Sequence, residues 1–161
     1  MATATQNYKI SVDEAKLETL KRKLELTTLP DEVEDAPPWH RGTPLKDVQR
    51  LLSYWKDGFD WRKAEAKLNE FPQQMVDVDV DGYGTYPLHC IHQRSEAKNA
   101  IPLLFVHGWP GSFIEVTKVL PLLVKGSADE PAFHVVAPSL LNFGFSSAVP
   151  KVKACNWERG T

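Results

Sequence analysis

Apolar residues in the first part of the chain recur at a helical period. Leu17, Leu20 and Leu24 fall on one face of a helix that is expected to begin at Ser11, where Ser11 and Glu14 form an S-x-x-E capping box. Residues 1–9 carry no such pattern and are expected to be a disordered lead-in.

Two further helices are predicted before residue 72. One begins with Thr43 as N-cap and Pro44 in its first turn, and the other is capped by Asp60 and ends near Asn69. Between the first and second helices lies a Pro-rich acidic loop, residues 30–42. The second helix is expected to bury an apolar stripe made of Leu45, Val48, Leu51, Leu52 and Trp55.

The apolar period then changes to that of β-strands. Met75–Val80 alternates between apolar and polar side chains, Asp81-Gly82 is typical of a turn, and Tyr86–His92 reads as the returning strand. This segment therefore predicts a β-hairpin.

A strand, a helix and a strand follow the hairpin. Ile101–Val106 is a continuous apolar run, typical of a strand covered on both faces, and Phe133–Ala137 is a second such strand. Residues 112–124 read as the helix between them, kinked or ended early at Pro121. This order predicts a right-handed βαβ unit with two parallel strands. The fold class is therefore α/β, in a single domain with a helical lead-in (1–72), a partial sheet (73–150) and a patternless tail (151–161).

Composition and charge exclude several classes of function. The chain has 161 residues, is 42% hydrophobic and carries a net charge of −2 without a basic block, so nucleic acid is not an expected partner. Cys90 and Cys155 lack metal-ligand spacing and are expected to be reduced thiols. We expect no membrane span, since the apolar runs fall far short of ~20 residues, and we predict a cytoplasmic protein. No metal, phosphate or dinucleotide motif is present, so no cofactor is expected.

The most informative motif is His107-Gly108-Trp109-Pro110-Gly111-Ser112, between the first buried strand and the predicted helix. Gly108 and Gly111 permit a sharp turn, and backbone amides at such a position can point towards a ligand. This is the construction of an oxyanion hole beside a helix N-terminus.

This motif resembles the oxyanion motif of microsomal-type epoxide hydrolases of the α/β-hydrolase fold. The resemblance covers about Ile10 to Pro150 and implies a partial α/β-hydrolase fold with half of the usual sheet. It further implies that the Trp109 amide helps to hold the nucleophile loop and the developing oxyanion, that its indole lines the pocket, and that His107 orients the turn. Four other stretches match in order: Phe59–Arg62, Leu68–Pro72, Phe133–Leu140 and Phe143–Ser146.

The residues that perform hydrolysis in this family are expected to lie beyond the matched region. The family uses an Asp nucleophile on a glycine-flanked turn, a His base with a carboxylate partner, and tyrosines of a cap domain. No such turn follows Ser146 and no histidine follows His134. Ser112 reads as a helix N-cap and not as a nucleophile. Leu141-Asn142 stands where the family usually has Pro-Gly, which indicates a reshaped loop.

Three functional hypotheses follow. The first is a non-hydrolytic enzyme, such as a cyclase, isomerase or Diels–Alder-type pericyclase, that holds an apolar secondary metabolite in a reactive geometry. The second is the N-terminal fragment of an epoxide hydrolase, which converts an epoxide to a diol, and the third is a non-catalytic interaction module. The first hypothesis gives His107, Trp109 and Asn142 as catalytic residues, with His107 or Asn142 polarising a carbonyl. The aromatic candidates are more typical of a core. The substrate-binding candidates of this hypothesis are Trp39, Trp55, Gly108, Pro110, Phe143 and Phe145.

The resemblance also predicts an open sheet edge. In the family fold, the strand that carries the nucleophile would lie beside Ile101–Val106, and no matching strand is found here. An uncovered apolar edge favours association. We therefore expect a homodimer that covers this strand.

Overall fold

The computed structural model describes residues 5–32, 37–127 and 129–149. Its contacts divide the chain into two compact units. Ile10–Leu68 forms the first, called here the helical unit, and Met1–Lys9 with Asn69–Thr161 forms the second, called the sheet unit. The predicted tail and the predicted thiol of Cys155 lie outside the described residues. In the part of the chain that the structure describes, no helix combines the length and apolarity that crossing a bilayer requires.

The helical unit contains three α-helices: α1 (Glu14–Glu25), α2 (Leu45–Ser53) and α3 (Trp61–Leu68). A π-helical turn, Tyr54–Gly58, continues from the end of α2. Three helices before the hairpin agree with the prediction made from the helical period of the apolar residues.

Two of the three predicted helix starts are wrong. The capping box at Ser11 does not form, because α1 begins after Asp13 and the Val12 amide donates to Glu65 Oε1 at 2.6 Å. In α2 the N-cap is Pro44 and not Thr43, and the Leu45 amide donates to Glu32 Oε1 at 3.1 Å. The Asp60 cap is confirmed, since Asp60 Oδ1 accepts from the Lys63 amide at 3.1 Å.

The predicted buried stripe on α2 is also wrong. No residue of α2 is buried, and Leu51 and Trp55 are 51% and 49% exposed. Among the described residues of the helical unit only Ile10, Leu24 and Glu65 are buried. The apolar period of α2 is therefore genuine, but its apolar face is not covered within the described structure.

The sheet unit has five strands in the order β1-β2-β3-β5-β4. Their bounds are β1 Thr5–Asn7, β2 Gln73–Val80, β3 Gly84–Gln93, β4 Ile101–Leu104 and β5 Phe133–Pro138. The disordered lead-in is wrong for residues 5–7, because β1 pairs antiparallel with β2. The hairpin of β2 and β3 is confirmed, and Gly82 in its turn has a φ of 78°, which glycine adopts without strain.

The βαβ unit is confirmed as well, since β4 and β5 pair in parallel. The connection is not one helix over 112–124. A 3₁₀ turn, Phe113–Val116, precedes a short helix, α4 (Leu120–Lys125). Pro121 lies in the first turn of α4, where its missing N–H would have no intrahelical partner, so it begins a helix here instead of ending one.

Strand β4 lies at the edge of the sheet and has β5 as its single neighbour among the described strands. The expected open edge is therefore confirmed. The expectation that Ile101–Val106 is covered on both faces is wrong, since Ile101, Leu104 and Val106 are 49%, 65% and 51% exposed. The core lies around β3 and β5 instead, where Ile91 and Val135 are fully buried.

Candidate site at the carboxyl ends of the parallel strands

Two loops meet where the parallel strands end. Residues 107–112 follow β4, and residues 139–147 follow β5. The Phe105 amide donates to the Val136 carbonyl at 2.9 Å and keeps the two chains paired up to this point. Since ligands of open α/β sheets bind beyond the carboxyl ends of the strands, this edge is the natural place for a site.

His107 joins the two loops. It is 3% exposed, and its Nε2 accepts from the Leu140 amide at 3.1 Å. The ring proton therefore lies on Nδ1, which is 3.1 Å from the Gly108 carbonyl oxygen, and the Phe143 ring packs against the imidazole at 5.2 Å. Both ring nitrogens are used by the backbone, which fits the orienting role that the resemblance implies. The predicted polarisation of a substrate carbonyl by His107 would require one of these bonds to break.

The turn after His107 is closed by a hydrogen bond from the Gly111 amide to the Gly108 carbonyl at 2.8 Å, across a cis Trp109-Pro110 peptide. No hydrogen bond in the described part of the chain uses the amides of Gly108 or Trp109. The Trp109 side chain is 84% exposed. A Cβ at Gly111 would force the Glu115 carboxylate to move, whereas one at Gly108 would meet open space. The turn thus contains two backbone donors without a hydrogen-bond partner among the described residues.

Ser112 is confirmed as an N-cap, because its Oγ accepts from the Ile114 amide at 3.3 Å. The turn that it caps is a four-residue 3₁₀ segment and not the long helix that was expected. Any stabilisation of a negative charge at this loop would therefore come from the amides of the preceding turn and not from a helix dipole.

Asn142 is a turn residue in the second loop. Its φ of 66° lies in the left-handed region, where Asn is among the better-tolerated side chains. Its amide donates to the Ser147 carbonyl at 3.2 Å, and its Oδ1 accepts from the Val149 amide at 3.0 Å. The Asn142 side chain is thus bonded to the loop backbone through Oδ1, whereas the predicted polarisation of a substrate carbonyl would use its Nδ2 donor.

The structure brings the sequence-predicted site residues together only in part. His107, Gly108 and Phe143 are in contact, and Pro110 lies in the same turn. Phe145 belongs to a second aromatic cluster with Tyr8, His89 and Phe113.

Two predicted substrate-binding residues, Trp39 and Trp55, lie in the helical unit. Trp39 is 64% exposed in a loop and has a φ of 68°. Trp55 lines an open apolar cleft of about 470 Å³. The other residues lining this cleft are Leu20, Leu51, Tyr54, Phe59 and Trp61.

Sequence reasoning missed a series of buried, hydrogen-bonded polar side chains in the sheet unit. His89 is fully buried, with Nδ1 2.8 Å from Ser139 Oγ and Nε2 2.8 Å from Gln73 Oε1. Burial lowers the pKa of His89 to about 4, so its imidazole is neutral at pH 7. The available signal was a histidine between Leu88 and Ile91 in a strand that is otherwise apolar there. Among the described residues, no group of three His, Cys, Asp or Glu side chains could hold a metal ion.

Comparison with known sequences places the chain among epoxide hydrolases. A family described as "Epoxide hydrolase N terminus" matches residues 5–116. A putative epoxide hydrolase of Stigmatella aurantiaca is 44% identical over 156 residues, which is 94% of this chain and 34% of that protein. Epoxide hydrolase 1 of Sus scrofa is 34% identical and is matched over 89% of this chain and 32% of its own length. The chain thus spans about a third of the length of these relatives.

Solved structures agree with this assignment. Juvenile hormone epoxide hydrolase of the silkworm Bombyx mori superposes with a TM-score of 0.77 at 25% identity, over 93% of this chain and 39% of that one. Aspergillus niger epoxide hydrolase gives a TM-score of 0.69 at 30% identity, over 94% and 38%. The fold is therefore a partial α/β-hydrolase fold, and the chain belongs to the epoxide hydrolase family, whose N-terminal region it matches.

Proposed function

We propose that this chain forms the N-terminal region of an epoxide hydrolase, an enzyme that opens an epoxide to a diol. The observation that carries the proposal is the turn after β4, in which the amides of Gly108 and Trp109 have no hydrogen-bond partner among the described residues. Backbone donors at the carboxyl end of the parallel strands can stabilise a developing oxyanion. The nucleophile and the base would come from the part of the relatives that this chain does not match.

The open edge of β4 supports the same proposal. Ile101, Leu104 and Val106 are about half exposed or more, and β4 has its second side free in the described structure. A further parallel strand pairing there would cover the free backbone edge of β4, and its carboxyl end would lie beside the two amides. The resemblance to epoxide hydrolases gives that position to the strand that carries the nucleophile. His107 would then hold the turn in place without taking part in proton transfer.

The non-hydrolytic enzyme has weaker support. Its candidate Trp109 exposes 84% of its surface, and both ring nitrogens of its candidate His107 already have backbone partners. The predicted homodimer would use the same edge of β4 as the additional strand, and it stays a prediction. So do the apolar substrate, the cytoplasmic location and the absence of a cofactor.

A chimera tests the proposal. The chain replaces the matched third of the Stigmatella aurantiaca relative, and diol formation from racemic styrene oxide is followed by chromatography. We expect turnover within about tenfold of that parent, which corresponds to a barrier change of no more than about 1.4 kcal/mol. The 161-residue chain alone is expected to form no diol.

The parent's turnover of the same epoxide is the reference, and circular dichroism checks that the chimera has the parent's fold. A folded chimera that leaves styrene oxide unreacted would contradict the proposal. Diol formation by the isolated chain would contradict it as well, because it would locate the nucleophile within these residues.

A further inference from the structure

The function proposed above does not use the series of buried polar side chains around His89. The imidazole is fully buried in the sheet unit and lies edge-on to three aromatic rings. The ring centroids of Tyr8, Phe113 and Phe145 are 5.2, 4.8 and 5.4 Å from it. Burying an imidazole is unfavourable unless both nitrogens are hydrogen-bonded, so the two partners of this ring matter.

The hydrogen bonds determine the tautomer. Gln73 Oε1 is an acceptor, so Nε2 of His89 carries the proton and donates to it at 2.8 Å. Gln73 Nε2 donates to Asn69 Oδ1 at 3.4 Å, which is consistent with this orientation of the amide. The other ring nitrogen, Nδ1, must then accept from the Ser139 hydroxyl at 2.8 Å.

The same histidine holds the loop after β5 at both ends. The Ser139 amide donates to the His89 carbonyl at 2.8 Å, and the His89 amide donates to Ser146 Oγ at 2.9 Å. The Ser146 hydroxyl in turn donates to the Ser139 carbonyl at 2.6 Å. His89 therefore contacts the first residue of the loop through its side chain and carbonyl, and the loop's far end through its amide.

The next residue along this loop is the one that holds His107. Leu140, directly after Ser139, donates its amide to His107 Nε2 at 3.1 Å, and His107 Nδ1 is bonded to the Gly108 carbonyl. A continuous series of short contacts thus leads from Gln73 on β2, through His89 and Ser139, to the turn that presents the Gly108 and Trp109 amides.

We propose that His89 is a positioning residue for this turn, acting through Ser139, Leu140 and His107. Its importance for epoxide opening rests on the function proposed above, but its effect on the turn does not. A neutral imidazole that donates from one nitrogen and accepts at the other fixes the direction of the hydrogen bonds to Gln73 and Ser139. Loss of the Ser139 hydroxyl should release the loop without removing a large side chain from the core.

The first test uses the unaltered 161-residue chain. Nitrogen-15 chemical shifts of the histidine rings distinguish the two neutral tautomers. We expect the proton on Nε2 of His89 and on Nδ1 of His107 at pH 7. A His89 ring protonated on Nδ1 would overturn the proposal, because the Ser139 hydroxyl could then no longer donate to it.

The second test compares two deletions of a hydroxyl in the same loop. Ser139→Ala removes the donor to His89, whereas Ser147→Ala removes a buried Oγ that has no hydrogen-bond partner among the described residues. In Ser139→Ala we expect the Leu140 amide to exchange its proton about tenfold faster relative to the amides of β2, as the loss of one hydrogen bond implies. The Ser147→Ala variant should match the unaltered chain.

Equal exchange at Leu140 in the two variants would overturn the proposal. So would a Ser139→Ala variant in which the amides of β2 and Leu140 accelerate by the same factor, since that is a general loss of stability. If Ser139→Ala does not fold, the tautomers of the unaltered chain decide. These readouts do not involve epoxide hydrolysis, so an inactive chimera would contradict the proposed function and leave the positioning role intact.

Discussion

The two units of this chain are built in different ways. The sheet unit buries apolar side chains on both β3 and β5, together with a histidine whose two ring nitrogens both have partners. The helical unit buries only Ile10, Leu24 and Glu65 among its described residues. Its large aromatic side chains, among them Tyr54 and Trp55, are about half exposed.

The difference shows where each unit obtains its order. In the sheet unit the core is the organising element, and the loops that carry the candidate site are attached to that core through His89. In the helical unit a carboxylate joins the elements instead. Glu65 accepts from the Val12 amide, from Arg62 at 2.7 Å and from Trp61 Nε1 at 3.3 Å. The apolar face of the helical unit stays exposed beside this network, and exposed apolar patches of this kind are typical of surfaces that contact another molecule or segment.

The sharpest test of this contrast replaces one apolar residue in each unit. Ile91→Ala deletes a fully buried side chain, and we expect it to lower the free energy of unfolding by about 2–5 kcal/mol. Leu51→Ala deletes one that is 51% exposed, and its effect should stay within about 0.5 kcal/mol. Urea unfolding followed by circular dichroism measures both. Similar losses in the two variants would show that the apolar face of the helical unit is covered in solution.

The second prediction concerns acid and the sheet unit. The folded pKa of His89 is about 4, below its ordinary value of 6.5, so the unfolded chain binds the proton more readily between these values. Stability must therefore rise with pH across this window and fall as the pH is lowered from 6.5 towards 4. Between pH 7 and pH 5 we expect His89 to account for a loss of about 2 kcal/mol.

Urea unfolding at pH 5, 6 and 7 checks this prediction. His89→Gln should flatten the pH dependence, whereas His40→Gln, which changes an exposed histidine, should leave it as it is. Tyr8 is the titratable side chain among the rings that pack on His89, and burial raises its pKa, so it stays neutral throughout. An unchanged pH slope in a folded His89→Gln variant would contradict the linkage.

Features governed by local pattern were predictable from the sequence. The alternation of Met75–Val80 and the turn at Asp81-Gly82 were sufficient for the hairpin, because both are decided by neighbouring residues. The order of strand, helix and strand was sufficient for the parallel pairing of β4 and β5. Strand β1 was missed because its sequence, Thr5–Asn7, is polar, and its order comes from pairing with β2.

Features governed by distant contacts were not predictable. Ser11 has the sequence of a cap, but the amide of Val12 takes its partner from Glu65, 53 residues away. In the candidate site, the motif from His107 to Ser112 indicated the turn and its amides, whereas the roles of Asn142 and His89 depend on loops that meet only in the folded chain. The type of a residue shows which hydrogen bonds it can make, whereas the fold determines which partner lies within bonding distance.

The last prediction, which has the smallest expected effect, concerns the hydrogen bonds of Glu65 in the helical unit. Glu65 and Glu14 both bond to Arg62 at 2.7 Å, but only Glu65 also accepts from the Val12 amide, and it is far less exposed. The Val12 amide and then Arg62 lower the pKa of Glu65 below its ordinary value of 4.5. Its contribution to stability is therefore complete above about pH 4.5 and is lost as the pH falls through the lowered value.

The pair Glu65→Gln and Glu14→Gln isolates this contribution. We expect Glu65→Gln to lower the midpoint of thermal unfolding at pH 7 and to accelerate exchange of the Val12 amide, because a neutral amide is a weaker acceptor than a carboxylate. Glu14→Gln, which removes only an exposed ion pair, should change neither by a measurable amount. If the two variants behave alike, the helical unit is held by its sparse core after all, and the contrast between the two units would have to be withdrawn.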